Sequence, residues 1–278
     1  MKNSTQWEIA DLPWNRFDAA RVSPDLLKIV KAAALVEYNA HDYATYLANV
    51  FPADAQFRAA ARQWATEETR HGAALGAWAR RADPDFNFEA AFERYKAGYA
   101  INVDAATSIR GSRTGELIAR CIVETGTSSY YTALGDAADE PVLKALCRNI
   151  AADELRHYKL FHGYLQRYAA QEGLSRWQRL KIGLGRMQES EDDELAFAYF
   201  SANAPAGALY DRPAYSSAYM VRAFPLYRPE NLERVVAMVF RACGIRLSTF
   251  WRKAIRGAAH VVMRVKVRRA LSVVNAAA

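Results

Sequence analysis

With 278 residues, 51% of them hydrophobic, the chain is long enough for one large domain or two small ones and too apolar for global disorder. It lacks any run of about 18 uncharged apolar residues that would span a membrane, and its opening MKNSTQWEIADLPW carries no apolar core of signal-peptide length. The net charge of +7 is uneven: residues 246–278 hold eight basic residues and no acid, which leaves the first 245 residues at −1. Cys121, Cys147 and Cys243 are scattered and odd in number, so they form neither a disulfide framework nor a metal knuckle, as suits a reducing cytoplasm.

Residues 1–22 read as an N-terminal arm. Ser23-Pro24 is a helix start, an N-cap followed by proline at the first helical position, and predicts one long helix to about residue 50, where Pro52 breaks it. A second long helix is predicted from about Asp54 to Arg81, then a shorter helix and a loop. The third long helix begins after Gly111-Ser112, and the fourth runs from Glu140-Pro141 to Gly173. Two helical hairpins joined by a longer connection predict an all-α four-helix bundle with a long crossover over residues 23–172. Residues 173–245 are expected to add accessory helices: one over 175–203 with ESEDDE as its solvated face, a loop at ANAPAGALYDRPAY, and a short helix at RPENLERVVAMVF. Residues 246–278 form a basic helix or tail.

The second helix contains WATEETRHG, which puts charged residues on a face bounded by Phe57, Trp64, Leu75 and Trp78. Glu68 and His71 stand three apart and so share a helix face. The fourth helix repeats this at Glu154 and His157, and the first and third carry lone acids, Glu37 and Glu124, within apolar stretches. Glu68 follows Glu37 by 31 residues and Glu154 follows Glu124 by 30, so each hairpin can bring its acid and its ExxH to the same depth. A single ExxH is commonly a surface ion pair, and a single intrahelical Glu is commonly salt-bridged. Four carboxylates and two imidazoles in one core are different, because unpaired buried charges cost several kcal/mol each. Two divalent cations would neutralise the carboxylates, and this ligand set is that of di-iron and di-manganese carboxylate bundles. Mixed oxygen and nitrogen ligation without thiolate favours iron or manganese over structural zinc. Glu67 and Asp153 each precede a ligand glutamate; Asp153 is expected to accept the outer N–H of His71, and Glu67 that of His157. The alternative is a pair of exposed helix acids.

WATEETRHG and NIAADELRHYKLF resemble the two metal-binding motifs of the soluble acyl-acyl-carrier-protein desaturases, within the ferritin-like superfamily. The resemblance covers roughly residues 20–170 and includes the order and spacing of all six ligands. It implies two iron ions, an O2-dependent oxidation of a fatty acyl chain carried on acyl carrier protein, and an electron donor such as ferredoxin. It also implies that Thr127, one turn after Glu124, lines the oxygen-binding side, and that electrons enter through His71 and Asp153 from a surface tryptophan, Trp7 or Trp14. Gly126, Ser128 and Ser129 leave space beside Glu124 for substrate or for close helix packing.

Other readings share the ligand set. A di-iron hydroxylase or oxygenase on another substrate would begin from a similar oxidant. A rubrerythrin-like peroxidase would commonly add a CxxC module, which is absent, and ferritin-like iron storage would be obstructed by the C-terminal third. A radical-generating subunit would want a tyrosine where Leu75 stands. The tail TFWRKAIRGAAHVVMRVKVRRALSVV fits an interfacial helix drawn to anionic lipid, a docking surface for an acidic carrier protein, or a solvated helix packed on the bundle. The alternation VVMRVKVRR also admits a short strand. Nucleic acid is a poor fit, because the aromatic interleaving of single-strand binders is missing. The expectation is a cytoplasmic protein, compatible with peripheral contact at the inner membrane surface and with a homodimer.

Overall fold

A computed structural model describes residues 7–189, 193–205 and 207–277, and the regular structure among them is entirely helical. The first bundle helix is broken: α1 spans Pro24–Tyr38 and α2 spans Ala40–Val50, with Asn39 capping the first and opening the second. The remaining bundle helices are α3 (Ala55–Ala82), α5 (Arg113–Ala137) and α6 (Pro141–Glu172), and α4 (Phe88–Gly98) lies in the crossover. α1 and α2 pack on α3, α5 packs on α6, and α3 meets α6 across the bundle. This is the four-helix bundle with a long crossover that the sequence predicts.

Local chemistry fixes the ends. Ser23, Asp54 and Ser112 accept hydrogen bonds from the backbone amides of Leu26, Phe57 and Gly115. Glu140 caps α6 through the amides of Val142 and Leu143. Gly173 ends α6 at φ +67°, a left-handed conformation that glycine adopts without steric cost. The break at Asn39 sits where α3 comes closest: a Cβ on Gly72 would lie 2.5 Å from the Tyr38 nitrogen and 2.8 Å from the Ala34 carbonyl oxygen. Only glycine permits that approach without a shift, and it brings α3 against α1 beside Glu37.

The apolar interior comes in two slabs. One gathers Leu26, Ile29, Leu75, Trp78, Leu134 and Leu146 from the upper parts of the four helices. The other gathers Leu47, Phe57, Trp64, Leu117, Phe161 and Leu165. Each such side chain, fully buried, stabilises the fold by about 1.5–3 kcal/mol. In chain order, Glu37, Glu68, Glu124 and Glu154 all fall between the stretches that build the two slabs. The polar layer is therefore sandwiched within a packed core.

The C-terminal third differs from expectation in three ways. The predicted helix over 175–203 is two helices, α7 (Arg176–Glu189) and α8 (Asp193–Asn203). Positions 190–192 of the acidic run lie outside the described residues, but Glu194 is not a solvated face, since it accepts hydrogen bonds from Tyr43 at 2.8 Å and Tyr95 at 2.9 Å. Part of the predicted loop is the start of α9 (Arg212–Ala223), whose first turn is capped by Asp211 and preset by Pro213. The valine-rich tail takes the helical of its two readings: it is α11 (Thr249–Ala277), which packs on α9 and on α10 (Pro229–Ala242). Among the described residues, no helix is long and apolar enough to cross a membrane.

Candidate metal centre

The six predicted ligands converge. Glu37, Glu68, His71 and Glu154 form one group, and Glu68, Glu124, Glu154 and His157 another, with donor atoms in each group within 4.8 Å of one another. Glu68 and Glu154 belong to both groups. All six side chains are buried, His71 completely.

Both imidazoles turn the same nitrogen inward. His71 Nδ1 lies 3.2 Å from Glu68 Oε2 and 3.2 Å from Glu154 Oε1, while its Nε2 bonds Asp153 Oδ2 at 3.0 Å. His157 Nδ1 lies 3.0 Å from Glu68 Oε1, and its Nε2 bonds Glu67 Oε2 at 2.9 Å. The pairings expected for Asp153 and Glu67 are the ones observed. Each acid sits on the outer nitrogen of its imidazole, so Nδ1 is the nitrogen turned into the centre. Thr127 Oγ1 donates to Glu154 Oε2 at 2.7 Å.

The electrostatics are those of too many acids in too little water. Burial, then the carboxylates of Glu68 and Glu154, push Glu37 well above the usual carboxylate range. Burial likewise raises Glu124, with Glu154 and Glu68 adding to it against the pull of His157. For Glu68 burial is outweighed: His157 and its hydrogen-bond partners hold it well below the ordinary value. Burial would lower both histidines, but carboxylate neighbours win; Asp153, Glu154 and Glu68 raise His71, and Glu68, Glu124, Glu154 and Glu67 raise His157.

Hydrogen bonding within the protein does not satisfy this cluster. Both oxygens of Glu124 are buried without a hydrogen-bond partner, and Glu154 Oε1 and His157 Nδ1 meet only other members of the cluster, at 3.2 Å and 3.0 Å, outside hydrogen-bond geometry. Buried polar atoms are rarely left so, and all four belong to residues of the two overlapping groups. The donor set fits two hard-to-borderline divalent cations such as iron or manganese.

Several residues around the centre escaped sequence reasoning. Tyr131, two turns beyond Glu124 and almost fully buried, donates to Glu37 Oε1 at 2.5 Å. Arg70 and Arg156 hold Asp153 at 3.2 Å and 2.5 Å, and Arg156 also reaches Glu67 at 3.5 Å. A signal for the arginines was present, since each directly precedes the histidine of its motif, ETRH or ELRH. Trp7 donates its indole N–H to Asp153 Oδ2 at 3.0 Å and stacks 6.0 Å from the His71 ring at an interplanar angle of 2°. Trp14 instead bonds the Ile9 carbonyl and lies against Arg81. Of the small residues beside Glu124, Ser128 donates to the Ala151 carbonyl of α6, and Gly126 is exposed with open space where a Cβ would stand.

A family model described as fatty acid desaturase matches residues 19–218, which include the whole centre. The chain belongs to the fatty acid desaturase family. Membership makes the protein an oxidoreductase of fatty acyl chains, with buried Glu and His groups suited to the iron that desaturases use. No curated protein matches the chain.

Proposed function

We propose that this desaturase is an O2-dependent di-iron enzyme that removes hydrogen from a fatty acyl chain carried on acyl carrier protein. The observation that carries the reading is the pair of overlapping ligand groups whose inward atoms lack hydrogen-bond partners. Iron bound there would supply O2 activation and the oxidising power to break an unactivated C–H bond.

The chain's own residues prepare the site for that work. Asp153 and Glu67 fix the tautomer and tilt of His71 and His157. Arg70 and Arg156 balance the charge of those acids, so the outer layer stays ionised. Burial would raise the Asp153 carboxyl, but the hydrogen bonds and charges of His71 and Arg156 prevail and hold its pKa below the ordinary value. Tyr131 holds one oxygen of Glu37 and thereby sets the orientation of the other. Thr127 presents a hydroxyl at Glu154, where it can deliver or hold a proton beside the reacting oxygen. Trp7 covers His71 and touches Asp153, which supports it over Trp14 as the entry point for electrons from a ferredoxin-type donor.

Iron analysis of the purified protein and acyl profiling of cells with and without it test the reading together. The expected result is about two iron per chain in the wild type, almost none in Glu68→Ala, and a changed unsaturated fraction that Glu68→Ala abolishes. Wild-type iron content in Glu68→Ala would overturn the ligand assignment. Unchanged acyl chains alongside rapid peroxide turnover would move the protein to the peroxide-handling class.

A further inference from the structure

α11 is apolar on two opposite faces, and only one of them is covered. Ala259, Met263, Val267, Ala270 and Val274 are wholly or partly buried where the helix meets α9 and α10. On the other side Phe250 is 70% exposed, Val261 61%, Trp251 58%, Val262 51% and Val265 42%. At 100° per residue these five fall within one arc, and the exposed positions between them are Ala254, Gly257 and Ala258. No polar side chain interrupts the strip over more than four turns. Lys253 and Arg264, three turns apart, run along one edge, and Arg268 and Arg269 stand at its far end.

A contiguous exposed apolar strip of this kind marks an interaction surface, and the charges choose the partner. The sequence contains no acid after Glu233, and Glu233 itself faces Arg256 at 3.4 Å. A second copy docked strip to strip would bring two acid-free cationic helices together with nothing to offset their repulsion. An acidic carrier protein would match the cations but would have to bury a valine and aromatic strip against carboxylates. An anionic bilayer matches both features: hydrocarbon for the strip, phosphates for its rim, and an interface that suits tryptophan.

We propose that α11 lies in the plane of an anionic membrane surface, with the strip from Phe250 to Val265 sunk between the headgroups. Lys253, Arg264, Arg268 and Arg269 then face lipid phosphates. This goes beyond the redox reading of the metal centre and does not depend on it.

The test is flotation of the full-length protein with vesicles of phosphatidylglycerol and phosphatidylcholine, against vesicles of phosphatidylcholine alone, at low and high salt. Wild type should float with the anionic vesicles, far less with the neutral ones, and less again at high salt. Val261→Ser with Val265→Ser should weaken binding about tenfold or more. Lys253→Gln with Arg264→Gln should weaken it about fivefold for each cation removed. All four positions are exposed, so helical content and iron content should match wild type; they report on the fold and the metal centre separately from lipid binding. Equal recovery on neutral and anionic vesicles would overturn the proposal, as would both double variants floating like wild type. So would a strip that ignores vesicles and instead mediates dimerisation or capture of an acidic carrier protein.

Discussion

In the first hairpin Glu37 accepts a short hydrogen bond from Tyr131, and His71 is completely buried beneath Trp7. In the second, neither oxygen of Glu124 accepts a hydrogen bond, and His157 leans on Glu67, whose side chain is 15% exposed against 1% for Asp153. The hairpins supply the same residue types at nearly the same spacing, yet the lone carboxylate is held tightly in the first half and loosely in the second. Gly72 draws α3 onto α1 in the tight half, while Gly126 in the loose half faces open space. The difference teaches that ligand identity and ligand environment are separately encoded. Neither oxygen of Glu124 is held by a hydrogen bond, whereas Tyr131 holds one oxygen of Glu37.

The sharpest way to break the comparison is to remove ligands that the two groups share or do not share. Glu68→Ala should empty both positions, whereas Glu37→Ala and Glu124→Ala should each leave about one iron per chain; colorimetric iron analysis of the three proteins checks this. Equal losses in all three would mean that the halves bind as one unit. Next come the acids behind the histidines. Asp153→Asn and Glu67→Gln should each weaken metal binding by about 10–100-fold, as outer-layer substitutions do. Asp153→Asn should lie at the upper end, because it disturbs His71, Arg70, Arg156 and Trp7 together; competition with a coloured chelator reads the ratio.

Smaller effects sharpen the packing contrast. Gly72→Ala should cost about 1–3 kcal/mol through overpacking of α1 against α3, lowering the denaturation midpoint. Gly126→Ala should stabilise by up to about 1 kcal/mol, because an exposed helix interior prefers alanine. Chemical denaturation of both variants gives opposite signs if the halves differ as described. Tyr131→Phe should be milder than the ligand losses, at about 1–3 kcal/mol for the donor that Glu37 loses in the metal-free protein. Its iron content should stay near wild type, and a full loss of iron would make Tyr131 more than a positioning residue.

Much of this architecture was legible because it rests on short-range rules. Ser23-Pro24, Asp54, Ser112 and Glu140-Pro141 mark helix starts by their own chemistry, and Gly173 marks an end. The pairing of Asp153 with His71 and Glu67 with His157 followed from the matched depth of two antiparallel hairpins. The break at Asn39 was not legible, because no proline or glycine marks it in the sequence. Glu194 looked like part of a solvated run, yet the partly buried Tyr43 of α2 and the buried Tyr95 of the crossover claim it. The start of α9 was legible in principle from Asp211 and Pro213, but the preceding proline and glycine masked it.

By itself the sequence determined which residues are available to hold metal and on which helices. Spacing along a helix is a local property, and six donors at matched positions leave few other uses for such a face. Tertiary structure alone decided that Tyr131 reaches Glu37, that Trp7 rather than Trp14 lies on His71, and that one apolar face of α11 is left uncovered. Those outcomes depend on residues 94, 64 and more apart in the chain, whose meeting is set by how the helices pack.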